Sequence, residues 1–262
     1  MKNEVALRPS YWASVSGGKD SLFMLKLILE HLDEYPLDGV VHFELEIDFP
    51  FIKNVIDYMK KECEKHKIPF VCIKPRVSFY DYYEKWGFPS RKSRWCNSQY
   101  KLDAIKQLEE FMKTRGCYVV SYIGFCADET RRFKYNVGDR FNVKAIYPIA
   151  EYGIEEKYIL EWAKNVPIFN DYYKYNRRCG CMFCPLQDMN ATAYLMKYYP
   201  DKYTEFYELV TKHEANMCKK LGKECFSVFQ SNPKYDMIYR DKIVREKYLP
   251  KLEEMRRVYN DK

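Results

Sequence analysis

Apolar positions along the chain alternate between short strand-like runs and longer stretches at helical spacing. Residues 11–15 are a short apolar run. After a polar break, Leu22, Phe23, Met24, Leu25, Leu27, Ile28, Leu29 and Leu32 are apolar on nearly every side, which predicts a largely buried first helix. Gly39 interrupts the pattern, residues 40–45 read as a second strand, and Phe51, Ile52, Val55, Ile56, Met59 and Cys63 recur at helical spacing. Residues 70–73 give a third strand, and Leu102, Ile105, Leu108 and Met112 another helix. Residues 118–123 and 143–147 give the fourth and fifth strands, and 154–164 a further helix. Strands alternating with helices through short connections imply right-handed crossovers and a parallel sheet. The ligand is then expected outside the carboxyl ends of the strands.

Two stretches depart from this rhythm. Residues 78–95 are aromatic and basic, with Gly87 and Pro89 as breakers, and read as a long functional loop holding one turn of helix. Beyond about residue 165 the chain changes character. A cysteine-bearing loop is followed by two aromatic-rich helices over 189–221. A tail follows in which Val244, Tyr248, Leu249, Leu252 and Met255 sit at helical spacing, an amphipathic helix expected to pack on the body or on a partner in preference to binding nucleic acid. The expected division is an α/β nucleotide-binding domain over 1–165 and a mainly helical extension over 166–262 packed on it.

Composition narrows the class. With 47% hydrophobic and 31% charged residues, the 262-residue chain has the make-up of a soluble globular protein. No apolar run approaches the ~18 residues of a membrane span, and the opening residues lack an apolar signal core, so a cytoplasmic location without membrane partners is expected. Ten cysteines are too sparse for a disulfide scaffold and read as reduced thiols or metal ligands. The net charge of +7 suits an anionic partner. Its cations cluster as Arg91, Lys92, Arg94 and Lys101, and as Arg131, Arg132, Lys134 and Arg140.

Between the first strand and the first helix stands Ser16-Gly17-Gly18-Lys19-Asp20-Ser21. Adjacent glycines let a backbone turn sharply and approach an anion, the following helix offers unpaired N–H groups and its positive dipole end, and the serines add hydroxyls. This is a phosphate-binding loop without the spacing of a Walker A motif. Further on, Cys179, Cys181 and Cys184 form C-x-C-x-x-C, a spacing that lets three thiolates reach one metal or cluster.

SGGKDS resembles the loop of the PP-loop superfamily of ATP pyrophosphatases. Further stretches resemble its phosphoadenylyl-sulfate (PAPS) reductase branch in the same order. These are Glu44-Leu45-Glu46-Ile47-Asp48-Phe49-Pro50; Phe88-Pro89-Ser90-Arg91 with Arg94-Trp95-Cys96 and Lys101; Gly124 to Thr130 followed by Arg131 and Arg132; Tyr147-Pro148-Ile149; and Arg178 with Gly180-Cys181 and Cys184-Pro185. The resemblance implies an adenine nucleotide alpha hydrolase-like parallel sheet. The nucleotide phosphates would sit on Ser16, Gly17, Gly18, Lys19, Asp20 and Ser21, with Gly124 beside them and Asp20 and Asp48 available to Mg2+ when the ligand is ATP. Lys19, Arg94, Lys101, Arg131 and Arg132 would stabilise the charge that builds on a leaving group. It also implies that Cys96 joins Cys179, Cys181 and Cys184 in a 4Fe-4S cluster beside the phosphates, zinc being the alternative metal.

Three departures qualify the match. Cys126 replaces the branch's usual arginine, Asn97 replaces a second cysteine beside Cys96, and the C-terminal ECGxH is reduced to Glu224-Cys225, with Cys225 read as a buried apolar residue. Cys63, Cys72 and Cys117 are expected in the core, and the four histidines are isolated. The expected activity is that of an enzyme of sulfur metabolism, an oxidoreductase or sulfurtransferase acting on adenylyl sulfate, PAPS or ATP. Its partner would be an electron- or sulfur-donating protein or thiol. The alternatives are an ATP-dependent enzyme that adenylates and thiolates nucleic acid, and a nucleotide-binding redox sensor without turnover.

Overall fold

The computed structural model describes residues 7–130, 144–222, 226–230 and 235–260. In chain order the elements are β1 (Arg8–Val15), α1 (Lys19–Glu30), β2 (Gly39–Phe43), α2 (Phe51–Lys65), β3 (Phe70–Ile73), α3 (Phe79–Trp86), a π turn (Cys96–Lys101), α4 (Leu102–Thr114), β4 (Cys117–Tyr122) and β5 (Lys144–Ile146). There follow α5 (Pro148–Glu151), α6 (Glu156–Lys164), α7 (Tyr172–Tyr175), α8 (Met189–Tyr198), α9 (Pro200–Leu221), α10 (Met237–Ile243), a second π turn (Val244–Tyr248) and α11 (Leu249–Asn260). The described residues fall into two compact units. One is drawn from Met1–Leu45, Pro50–Arg76 and Lys101–Asp171, the other from Glu46–Phe49, Val77–Tyr100 and Tyr172–Lys262.

The first unit is an α/β body whose bounds differ from an undivided 1–165, since it runs to Asp171 and leaves Glu46–Phe49 and Val77–Tyr100 to the other unit. Its five strands form one all-parallel sheet in the order β3-β2-β1-β4-β5. Alternate residues of a strand face opposite sides. On one face Trp12, Val41 and Val119 pack against Leu108 and Met112, the apolar stripe of α4. Fully burying one such side chain stabilises by about 1.5–3 kcal/mol. On the other face α1 lies along β1, with Met24, Leu25 and Ile28 fully enclosed, as its near-continuous apolar run predicts. Among the cysteines expected in the core, Cys63 is completely buried, Cys117 is half-buried against the Trp12 cluster, and Cys72 is exposed. The reason for Cys72 is topological. β3 is the edge strand, so its apolar run is covered less completely than its sequence suggests.

The second unit is mainly helical and aromatic. Residues 78–95 contain α3, more than two turns of helix where the breakers suggest one. Ser78 accepts the Asp81 N–H as its N-cap and Gly87, at φ +73°, ends it. Glu46 strengthens the start of α3 by accepting the Phe79 N–H at 2.6 Å, and its own N–H donates to the Tyr100 hydroxyl. Phe49 packs on Tyr172 and Tyr194, and Phe183 stacks on Phe206. α8 packs against α9, α11 and the second π turn. The tail is therefore a packed helix, with Val244 and Leu252 buried, and the π turn interrupts it once. Among the described residues no helix is long and apolar enough to cross a membrane.

Candidate nucleotide loop and thiol cluster

In the first unit the chain leaves β1, with β2 on one side and β4 on the other, at the point where the strand order reverses. In open α/β sheets that crevice is where ligands bind. Gly17 turns the backbone at φ +76°, and a Cβ there would lie 2.7 Å from Cγ2 of Ile52, so both conformation and space demand glycine. Gly18 is the N-cap of α1 in extended conformation and places no side chain over the first helical N–H groups. The serines fold the loop on itself. Ser21 donates to the Gly18 carbonyl at 2.9 Å and accepts the Ser16 N–H at 3.2 Å, while the Ser16 side chain reaches the Gly18 N–H at 3.4 Å. An uncapped helix start beside an exposed serine is an arrangement that accepts an anionic oxygen.

The turn after β4 closes on the same helix start. A Cβ on Gly124 would lie 2.9 Å from the Asp20 carbonyl oxygen and 3.3 Å from the Ser21 nitrogen, a close approach of two backbones that only glycine permits. Next to it Phe125 stacks on Tyr147 at 5.3 Å and 7°. The Cys126 thiol is buried and donates to Asp20 Oδ1 at 3.6 Å. Burial, then the Asp20 carboxylate, push its pKa far above the usual thiol range, so it remains protonated. Asp128 accepts the Glu156 N–H and so seats the start of α6.

The electrostatics depart from the expectation for Lys19. Its side chain is 1% exposed and lies 2.7 Å from Asp20 Oδ1 and 3.5 Å from Glu156 Oε1, itself 5% exposed. The ammonium is thus engaged by two carboxylates of the protein itself, of which its single charge can balance one. Glu156 has no signal in the local sequence beyond being an acid at a helix start; only the fold brings it to Lys19. Asp20 is one-third exposed, whereas Asp48, the other expected Mg2+ ligand, is half-buried and belongs to the second unit. Lys101 is half-buried at the end of the first π turn, and Arg94 is an exposed side chain of the second unit. Arg131 and Arg132 lie outside the described residues, as does Cys225.

The thiols expected to hold a cluster all belong to the second unit, and none is in a disulfide. Cys181 is buried, whereas Cys96, Cys179 and Cys184 are half-buried. The Met182 N–H donates to the Ile47 carbonyl at 2.7 Å and anchors the loop. The Leu186 N–H points at the Cys184 sulfur at 3.4 Å. Among the described residues no three His, Cys, Asp or Glu side chains are arranged to hold a metal ion. The donor chemistry of four thiols suits a cluster or zinc.

Comparison with known proteins supplies the family. The chain is 28% identical over 210 residues to an uncharacterized protein of Methanocaldococcus jannaschii, covering 76% of this chain and 47% of that one. The chain therefore spans about half the length of the curated relative it matches. Among solved structures it is similar to the U34-tRNA thiolase NcsA from Methanococcus maripaludis with its 4Fe-4S cluster. That match has 19% identity and a TM-score of 0.39, and covers 92% of this chain and 83% of that one. The phosphoadenosine phosphosulfate reductase domain matches residues 10–187, more than half of the sequence, and the chain belongs to that family.

Proposed function

We propose that this protein binds the phosphate or sulfate end of an adenine nucleotide on Ser16–Ser21 and Gly124 and uses that ligand in reductive or transfer sulfur chemistry. The observation that carries the reading is the loop at the switch point: a positive-φ glycine, an uncapped helix start and the Gly124 turn pressed against it. Backbone N–H groups and the Ser16 hydroxyl hold the anion. Lys19 balances the buried carboxylate of Glu156 and reduces the negative field of Asp20 beside the loop. With adenylyl sulfate or PAPS, a thiol or electron-donor protein supplies two electrons to the sulfur, releasing sulfite and the nucleoside monophosphate or bisphosphate. Lys101, Arg94, Arg131 and Arg132 are proposed to stabilise the departing charge. Cys96, Cys179, Cys181 and Cys184 would hold a 4Fe-4S cluster, which supplies one-electron chemistry when bound; zinc in the same thiols would be structural.

A second reading is ATP-dependent activation and thiolation of nucleic acid, with Asp20 or Asp48 on Mg2+. The exposed aromatic and basic stretch of Trp86, Arg91 and Lys92 favours it, since the reduction of a small adenylyl substrate gives these three side chains no task.

Anaerobic incubation with ATP, adenylyl sulfate and PAPS separates these readings. Sulfite with a nucleoside phosphate supports reduction, AMP or pyrophosphate from ATP supports the second reading, and no product from any leaves a binding protein. Gly18→Val should abolish nucleotide binding by isothermal titration while the fold persists. Anaerobically purified protein should carry about four irons and absorb near ~400 nm, with both lost in Cys184→Ala. Stoichiometric zinc without iron after reconstitution would leave a structural metal knot.

A further inference from the structure

A cavity of about 430 Å³ opens between the end of α3 and the second half of α9, wholly inside the second unit and unconnected with the thiol loop. Lys85, Lys212 and Lys220 line it together with Asn216 and Trp86, and Glu84 contributes one carboxylate. The wall is set by Gly87. A Cβ there would lie 2.2 Å from Nδ1 of His213, so the bare backbone lets the imidazole of α9 lie against the end of α3.

Part of this has an ordinary explanation. Lysines near helix C-termini complement the helix dipole, which accounts for Lys85 and Lys220. It does not account for Lys212, which stands more than two turns before the end of α9. Nor does it account for Trp86, which is 42% exposed although Tyr82, stacked on it at 4.9 Å and 22°, and nearby Trp95 offer an aromatic core. Lys85 Nζ lies 5.1 Å from the Trp86 ring and Lys212 Nζ 6.0 Å from that of Tyr83. Cations set against aromatic faces, with an exposed ring backed by a second, are what a flexible strand with alternating phosphates and flat bases requires. A rigid duplex keeps its bases stacked and offers nothing to Trp86.

We propose that this cleft binds single-stranded nucleic acid, with a base on Trp86 and backbone phosphates on Lys85, Lys212 and Lys220. The site is separate from the nucleotide loop and stands whichever sulfur chemistry that loop serves.

The test is fluorescence anisotropy of the full chain with labelled mixed-sequence single-stranded RNA, single-stranded DNA and duplex DNA. The variants are Lys85→Glu/Lys212→Glu/Lys220→Glu, Trp86→Ala and Trp86→Phe, each checked for an unchanged melting midpoint and an unchanged ATP titration. The parent should prefer single strands, and the two strand chemistries tell RNA from DNA. The triple variant should bind at least tenfold more weakly and lose about two units of the log–log salt slope, at ~0.7 per phosphate contact. Trp86→Ala should lose roughly tenfold and Trp86→Phe retain most of the affinity. The proposal is overturned if the parent binds no strand, if duplex binds as well as single strands, or if folded variants match the parent. Tighter binding of poly-glutamate than of either strand would also overturn it and mark the cleft as a surface for an acidic protein.

Discussion

The ammonium of Lys19 lies 3.5 Å from Oε1 of Glu156, a contact between the first residue of α1 and the first residue of α6. Both side chains are at most 5% exposed. Removing one partner of a buried pair leaves the other charge without compensation, at a cost of about 3–5 kcal/mol. Lys19→Met should therefore lower stability by that order in urea unfolding, and adding Glu156→Gln should recover much of the loss. A Lys19→Met protein that unfolds like the parent and has merely lost nucleotide affinity would show instead that this lysine grips the phosphates.

The same contact shows where sequence reading runs out. The loop SGGKDS, its place after the first strand and the parallel sheet were legible, because apolar periodicity and paired glycines are local signals. The orientation of Lys19 was not, because it depends on Glu156, which reaches the loop only through the fold. α3 was hidden by its own ends. Gly87 and Pro89 are breakers, yet the Ser78 cap on the Asp81 N–H was present in the sequence as the helix's start signal. Cys72 sits in an apolar run that looks like core. Only strand order reveals that β3 is an edge.

Gly124 tests the nucleotide loop from its other wall. Its α-carbon approaches the Asp20 carbonyl so closely that an added methyl would sit 2.9 Å from that oxygen. Backbone, not a flexible side chain, stands in the way, so Gly124→Ala must push the β4 turn off the start of α1. Nucleotide affinity should fall at least tenfold by titration calorimetry, with a melting midpoint lowered by only a few degrees, about 1–2 kcal/mol. Undiminished affinity would show that the β4 turn takes no part in binding.

Glu214 gives the second unit a pH-dependent clasp. It is 5% exposed, and its two carboxyl oxygens accept the N–H groups of Val228 at 2.9 Å and Met237 at 2.8 Å, tying the chain after α9 back to that helix. Burial pushes its pKa up to about 7, against the lowering effect of those two bonds. The folded state thus binds this proton more tightly than the unfolded chain, whose carboxyl titrates near its ordinary 4.5. Its contribution to stability is complete below pH 4.5 and is lost as pH rises to about 7, at up to about 1.4 kcal/mol per pH unit. Urea midpoints measured across that window should show this fall in the parent and a flatter profile in Glu214→Gln. Identical profiles would remove Glu214 from the account.

Arg240 holds the C-terminal side of the cysteine loop. The residue is 5% exposed, its Nη2 donates to the carbonyls of Gln187 and Asp188, each at 2.7 Å, and its Nε donates to the Thr192 hydroxyl at 3.0 Å. Its guanidinium also lies over the Phe229 ring at 4.5 Å. One side chain from α10 thereby fixes the end of the loop that carries Cys184 and the start of α8, where Asp188 caps the Ala191 N–H. Burial lowers its pKa to about 10, still high enough for it to remain charged at neutral pH. Arg240→Met fills the volume but leaves the carbonyls and the hydroxyl without a donor, which should cost about 3 kcal/mol or more in unfolding experiments. Arg240→Lys keeps the charge but lacks the planar fork that spans several acceptors, so it should restore only part of that loss. If the arginine positions the loop, native-state alkylation of Cys184 should speed up severalfold in both variants while that of fully buried Cys63 remains slow. Destabilisation without any change in Cys184 labelling would reduce Arg240 to a core residue with no bearing on the thiols.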